Sequence, residues 1–137
     1  MEKYNIVLLK IDSGAEVNSV IYADEDGIVI NLKISIDDKE IIFESEQYLK
    51  AYQKIRDELL KNGYGLKCKG SLINACQSGM MSYTSKVYLV QKGRQALQKD
   101  IVNIWEYCDI KHFPTTIEQK NFIEEWYVSL KERYYVD

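Results

Sequence analysis

Apolar and polar positions alternate most regularly between Ile28 and Ile36, where Ile28, Ile30, Leu32, Ile34 and Ile36 interleave with Val29, Asn31, Lys33 and Ser35. A period of two puts every second side chain on one face, so this stretch predicts a strand with one aliphatic and one mostly polar face. Tyr4–Ile11 is apolar and carries β-branched residues, and Val17–Tyr22 is a shorter segment of the same kind. Asp24-Glu25-Asp26-Gly27 predicts a turn before the third segment, and Asp37-Asp38-Lys39 a tight turn into Glu40–Phe43. Together these segments predict an antiparallel meander with one buried face.

The period then lengthens. Tyr48, Tyr52, Ile55 and Leu59 recur every three or four residues, which predicts an amphipathic helix. Ser45 is its expected N-cap, Glu46 suits the first turn, and the helix should run to Asn62 and close on Gly63. Tyr64–Leu72 returns to strand character, with Leu66, Cys68, Gly70 and Leu72 on one face and Lys67, Lys69 and Ser71 on the other. Ser85–Lys92 predicts a further strand ending at Gly93, and Asp100 is expected to cap a short helix through Tyr107. Pro114 precedes Thr115-x-x-Glu118, a capping-box spacing, and the helix beyond it carries Phe122, Trp126 and Leu130 on one stripe, with Ile123 and Tyr127 beside it. With no repeat or linker, residues 1–137 are expected to form a single α+β domain. Its meander and helix are followed by two further strands and by two C-terminal helices packed on one sheet face.

A chain of 137 residues suits one core, and 46% hydrophobic with 28% charged residues is a globular composition. No stretch reaches the run of about 18 apolar residues that a membrane-spanning helix needs. The N-terminal residues lack the features of an export signal, and three cysteines are too few for a disulfide framework, so a cytoplasmic location is expected. The net charge of −3 conceals a segregation. Residues 1–60 hold 7 Lys/Arg against 13 Asp/Glu, residues 61–99 hold 7 against none, and residues 100–137 hold 4 against 8. Such a chain either folds into faces of opposite sign or pairs its charges away.

The candidate chemistry is thin. With one histidine, His112, no site needing two imidazoles exists within the chain, and the phosphate-loop, dinucleotide and nucleophile-elbow motifs are absent. Cys68, Cys76, Cys108 and His112 could in principle form a Cys3His set, but the first pair lacks the close knuckle spacing of structural zinc sites, and Cys68 points toward the core in the strand reading. Cys108 and His112 lie four apart, with Asp109 and Pro114 arguing that no helix aligns them and no third residue to orient the histidine. The expectation is a protein with no catalytic residue, metal or cofactor. If Leu66–Leu72 paired with Ser85–Lys92, then Lys67, Lys69, Ser71, Lys86, Tyr88 and Lys92 would share a face, as nucleic-acid platforms do. Scarce arginine and a pI near 5.3 argue against nucleic acid as a partner.

Protein recognition is better served. Asp37, Asp38, Glu40, Glu44 and Glu46 fall around one turn and one helix start and could complement a basic partner. The uncharged stretch Asn74–Thr84, eleven residues long, carries Met80, Met81 and Tyr83, which either plug the end of the core or anchor a partner. Eleven tyrosines, among them Tyr64, Tyr83, Tyr88, Tyr107, Tyr134 and Tyr135 outside the clear core stripes, suit an interface.

Lys69-Gly70-Ser71-Leu72, Gln77-Ser78-Gly79-Met80, Val87-Tyr88-Leu89 with Gly93, and Asp100-Ile101-Val102 with Trp105 resemble segments of small bacterial immunity proteins from polymorphic-toxin and contact-dependent inhibition systems. The resemblance covers about residues 64–107. It implies a non-enzymatic cytoplasmic protein that neutralises a cognate toxin by direct binding. The alternative is a small regulatory or ligand-binding domain, possible as a homodimer through its sheet edge or aromatic surface.

Overall fold

The computed structural model describes residues 1–135, and the side chains of 133–135 lie outside the described residues, Tyr134 and Tyr135 included. The chain is α+β. Four strands, β1 (Glu2–Lys10), β2 (Glu16–Asp24), β3 (Ile30–Ile36) and β4 (Lys39–Ser45), form the antiparallel meander that the alternation predicts. Helix α1 (Tyr48–Lys61) follows, and the short strand β5 (Tyr64–Leu66) returns to pair with β1. The sheet order is therefore β4-β3-β2-β1-β5. Ile6, Leu8, Ile21, Ala23, Leu32, Ile34 and Ile41 point to one face and are buried against α1, whose inner stripe is Tyr48, Ala51, Tyr52, Ile55 and Leu59.

Two details of the meander follow from local chemistry. Asp37 and Asp38 both take left-handed backbone angles, φ of 47° and 61°, the two-residue turn whose twist matches paired strands. Tyr64 Oη donates to the Asp37 carboxylate at 2.9 Å, tying that turn to β5. Ser45 ends β4 instead of capping α1, and its Oγ accepts from the Gln47 amide. The helix leaves through Asn62 into Gly63 (φ 84°), as expected.

Beyond β5 the strand expected to Leu72 does not continue. Cys68 makes one isolated bridge to Tyr107, and residues 69–71 form a 3-10 turn. Gly70 permits this, because a Cβ there would stand 2.3 Å from Ile104 Cγ1 and 2.9 Å from Tyr52 Cζ. The turn destroys the alternation beyond Cys68, so Ser71, expected on the exposed face, is buried; Lys67, before the turn and expected on the same face, is buried as well.

A second sheet, ordered β6-β7-β8, joins β6 (Ala75–Cys76), β7 (Lys86–Leu89) and β8 (Ile101–Asn103). β8 replaces the helix expected over 100–107. The β-branched pair Ile101-Val102 suits a strand. Asp100 accepts from the Leu97 amide, and Asn103 accepts from the Trp105 amide at 2.9 Å to start a turn. One core runs through both sheets, closed by Trp105, which stacks on Tyr4 at 5.4 Å and donates its Nε1–H to Tyr48 Oη at 2.8 Å. Helix α2 (Thr116–Tyr135) begins with the predicted capping box, the Glu118 amide donating to Thr115 Oγ1 and the Thr115 amide to Glu118 Oε1. Instead of lying on the main sheet, α2 docks against α1 and the 70–94 segment, with Trp126 Nε1–H donating to the Arg94 carbonyl.

Candidate protein-interaction surface

The 67–115 segment is organised by polar side chains acting on backbone. Gln119, buried on α2, donates through Nε2 to the carbonyls of Gly70 and Leu72, while its Oε1 accepts from Arg56 and Gln53. Arg56 is fully buried and also reaches Asp57 Oδ1 and Thr116 Oγ1, so its charge is paired and each of its nitrogens has a partner. No buried side-chain polar atom among the described residues lacks a partner.

The same device shapes the loop after β6. Gln77 Oε1 accepts from the Leu49 amide at 3.0 Å, and Gln77 Nε2 donates to the carbonyls of Thr84 and Lys86, both at 2.8 Å. The Ser82 carbonyl accepts from the Tyr48 amide at 2.7 Å, while Ser82 Oγ donates to Gly79 and Thr84 Oγ1 to Met81. The loop thus supplies the acceptors that an N-cap side chain would otherwise give α1. Held this way, residues 79–81 form a 3-10 turn that thrusts Met80 outward, 94% exposed, with Tyr83 63% exposed beside it. Met81 is half-buried. Met80 therefore does not plug the core. Between this loop, the start of α1 and α2 lies a cleft of about 580 Å³, whose lining includes Gln53, Cys76, Ile123 and Tyr127.

The five acidic candidates do not make one cluster. Asp37 and Asp38 sit at the β3–β4 turn, and Glu46 lies past the other end of β4. At about 3.3 Å per residue, these ends are roughly 25–30 Å apart. Glu40 and Glu44 project from the outer face of β4 between them, Glu40 standing 3.9 Å from Lys33 Nζ. The structure does bring Glu46 beside the Met80–Tyr83 loop, because Tyr48, two residues on, is the one bound by Ser82. Sequence reasoning missed Ile42, 55% exposed between Glu40 and Glu44 on the same outer face. Its signal was present: Ile41-Ile42-Phe43 puts one apolar residue out of step with alternation.

Three of the candidate lysines of the basic centre, Lys67, Lys69 and Lys92, are paired with carboxylates. Lys67, 3% exposed, donates to Glu16 Oε1 at 2.7 Å and Asp109 Oδ1 at 2.8 Å and lies over the Tyr107 ring. Lys69 pairs with Glu106, and Lys92 with Glu125 at 3.6 Å. These hydrogen bonds hold the Lys67 ammonium above its ordinary range and Asp109 below the usual carboxylate range. Ser71 is buried in contact with Tyr52 Oη, and the strands expected to share a lysine face belong to different sheets.

The cysteines are free. Burial pushes the thiols of Cys68 and Cys76 upward, away from the reactive thiolate. Cys108 follows a turn instead of sitting on a helix, so no helical register aligns it with His112. Among the described residues, no group of three or more His, Cys, Asp or Glu is arranged to hold a metal ion. No helix among them is long and apolar enough to cross a membrane. No protein-family model matches the chain, and comparison with curated proteins found no match.

Proposed function

We propose that the protein is a non-catalytic binding protein, an immunity-type inhibitor that neutralises a toxin in the bacterial cytoplasm by direct binding. The observation that carries this reading is Met80, 94% exposed on a loop whose backbone is clamped by Gln77 and Ser82. A long apolar side chain facing water on a fixed support is unfavourable in isolation and favourable once a partner covers it. Because the loop is already ordered, docking immobilises little more than the side chains, at about 0.5–1.5 kcal/mol each. Tyr83 supplies an amphipathic contact beside it, and Glu44 and Glu46 supply the negative rim that steers a basic toxin.

The test is co-expression with a candidate toxin taken from the genes neighbouring this one, followed by calorimetry on the purified pair. The chain should relieve growth arrest and bind directly. Met80→Asp with Tyr83→Ser should weaken binding by about thirtyfold or more, the loss of at least one hot spot of about 2 kcal/mol. Growth arrest that persists with no complex formed would sink the inhibitor reading. The ligand-binding alternative rests on the cleft beside Cys76, and a small molecule that protects Cys76 from alkylation and raises the melting temperature would favour it.

A further inference from the structure

β4 is an edge strand whose outer side meets no other strand among the described residues. Its pairing with β3 begins at Ile36–Lys39, the pair that closes the two-residue turn and therefore exchanges both hydrogen bonds. Counting in twos from there, Lys39, Ile41, Phe43 and Ser45 turn their amides and carbonyls toward β3, whereas Glu40, Ile42 and Glu44 turn theirs outward. The Glu44 carbonyl does face away from β3, since it accepts from Lys54 Nζ at 3.0 Å. These same three residues carry the outer-face side chains in the order acidic, apolar, acidic. Backbone groups and a side-chain code thus lie together on one strand edge, where an incoming strand would displace Lys54 from the Glu44 carbonyl.

A second copy of the chain does not fit this edge. Antiparallel self-pairing centred on Ile42 sets Glu40 opposite the other copy's Glu44, twice. Sliding by two sets Glu40 against Glu46 or Asp38 against Glu44. Each of these registers opposes like charges, a recognised device against edge-to-edge association.

We propose that β4 receives an extended segment of the partner as an additional antiparallel strand, with basic side chains opposite Glu40 and Glu44 and an apolar one opposite Ile42. This deepens the inhibitor reading and rests on it for the partner's identity. The backbone bonds supply affinity, and the acidic–apolar–acidic order selects a strand with lysine or arginine four residues apart. The Met80–Tyr83 loop, beside the Glu44–Glu46 end of the same strand, would seat the body of the partner as its strand runs along β4.

The probe is a capped heptapeptide, threonine–lysine–threonine–valine–threonine–lysine–threonine, compared with its counterpart bearing glutamate for lysine. It is titrated into the intact chain while amide hydrogen exchange is followed by NMR. The lysine peptide should slow exchange at the amides of Glu40, Ile42 and Glu44, leaving the already bonded amides of Ile41 and Phe43 unchanged. The glutamate peptide should bind at least about tenfold more weakly, both cross-strand charge pairs being reversed. Ile42→Pro removes only an outward amide, so it should leave the circular dichroism intact while abolishing the alternating protection. Glu40→Lys with Glu44→Lys, which alters no backbone, should swap the preference between the two peptides. No binding at millimolar peptide, or protection confined to residues 79–83, overturns strand addition. A toxin complex lost in the Met80→Asp, Tyr83→Ser variant but unaffected by Ile42→Pro also overturns it, and leaves the inhibitor reading standing.

Discussion

The first 66 residues and the stretch from Lys67 to Thr115 are folded by different means. In the meander, position alone decides burial. Ile30, Leu32, Ile34 and Ile36 face α1 because they are two residues apart, and exchanging one aliphatic residue for another would preserve the instruction. In 67–115 the strands are two to four residues long, and burial is decided by which polar group meets which carbonyl: Gln119 on Gly70 and Leu72, Gln77 on Thr84 and Lys86, Asn74 on Val90. A pattern-encoded region is robust and repetitive. A network-encoded region needs specific partners, and it can display a loop such as 79–83 in a shape that no regular element offers. The exposed apolar surface at Met80 is held in place by the backbone amides of Tyr48 and Leu49, far from it in sequence, through Ser82 and Gln77.

The largest expected effect is in the patterned region. Leu32 is fully buried between β2 and β4, so Leu32→Ala should cost on the order of 3–4 kcal/mol, read as a lower urea midpoint with an unchanged slope. A loss below about 1 kcal/mol would mean that the site collapses freely and that the sheet is not the rigid half.

Gln119→Ala sharpens the contrast. It strands two backbone carbonyls and removes a partner from buried Arg56, which predicts a loss on the order of 3 kcal/mol. Hydrogen exchange should accelerate first in α2 and in residues 68–76, with β1–β3 protected longer. Uniform acceleration across the chain would show that the two regions unfold as one unit.

These differences also set what the sequence reveals. The meander, α1 with its Gly63 exit and the Thr115–Glu118 capping box were legible because periodicity and local chemistry specify them. Arg56 was not. It lies four residues after Tyr52 on the buried stripe, where the pattern asks for an apolar residue, and only Asp57, Thr116 and Gln119 make it tolerable. The helix expected over 100–107 failed because Asp100 and Asn103 turn their side chains back onto backbone amides. At the candidate surface, the apolar loop residues were legible as types. The clamp by Gln77 was not, since a glutamine bonding backbone 28 residues away leaves no period to read.

A smaller effect concerns the seam between the regions, where Lys67 joins Glu16 of β2 to Asp109. Asp109 is held below its ordinary value of 3.8, so its contribution is present above that pH and is lost as pH falls through the lower folded value. Lys67 is held above 10.5, so its contribution is complete below that pH and is lost as pH rises through the higher folded value. Asp109→Asn should therefore flatten the fall in melting temperature below about pH 4 relative to wild type. An acid limb identical in both proteins would show that the pair does not join the regions energetically.

The smallest effect on stability is expected at the most exposed residue. Met80 makes almost no burial to lose, so Met80→Ser should shift the unfolding free energy by less than about 0.5 kcal/mol, within the range of ordinary surface substitutions. Gln77→Ala, two residues before the start of the same turn, should behave differently. It withdraws an acceptor from the Leu49 amide and a donor from two carbonyls, but those groups lie close to water and can be rehydrated, so its global cost stays near 1 kcal/mol. Its local cost is larger, because residues 78–84 lose the clamp and should exchange their amides faster while β1–β4 do not. The pair of variants separates display from support. If Met80→Ser proved as destabilising as Leu32→Ala, Met80 would be packed against something the fold already contains. If Gln77→Ala left the loop's exchange unchanged, the Ser82 contact to Tyr48 alone would hold the turn, and the amide clamp would not be what presents the apolar surface.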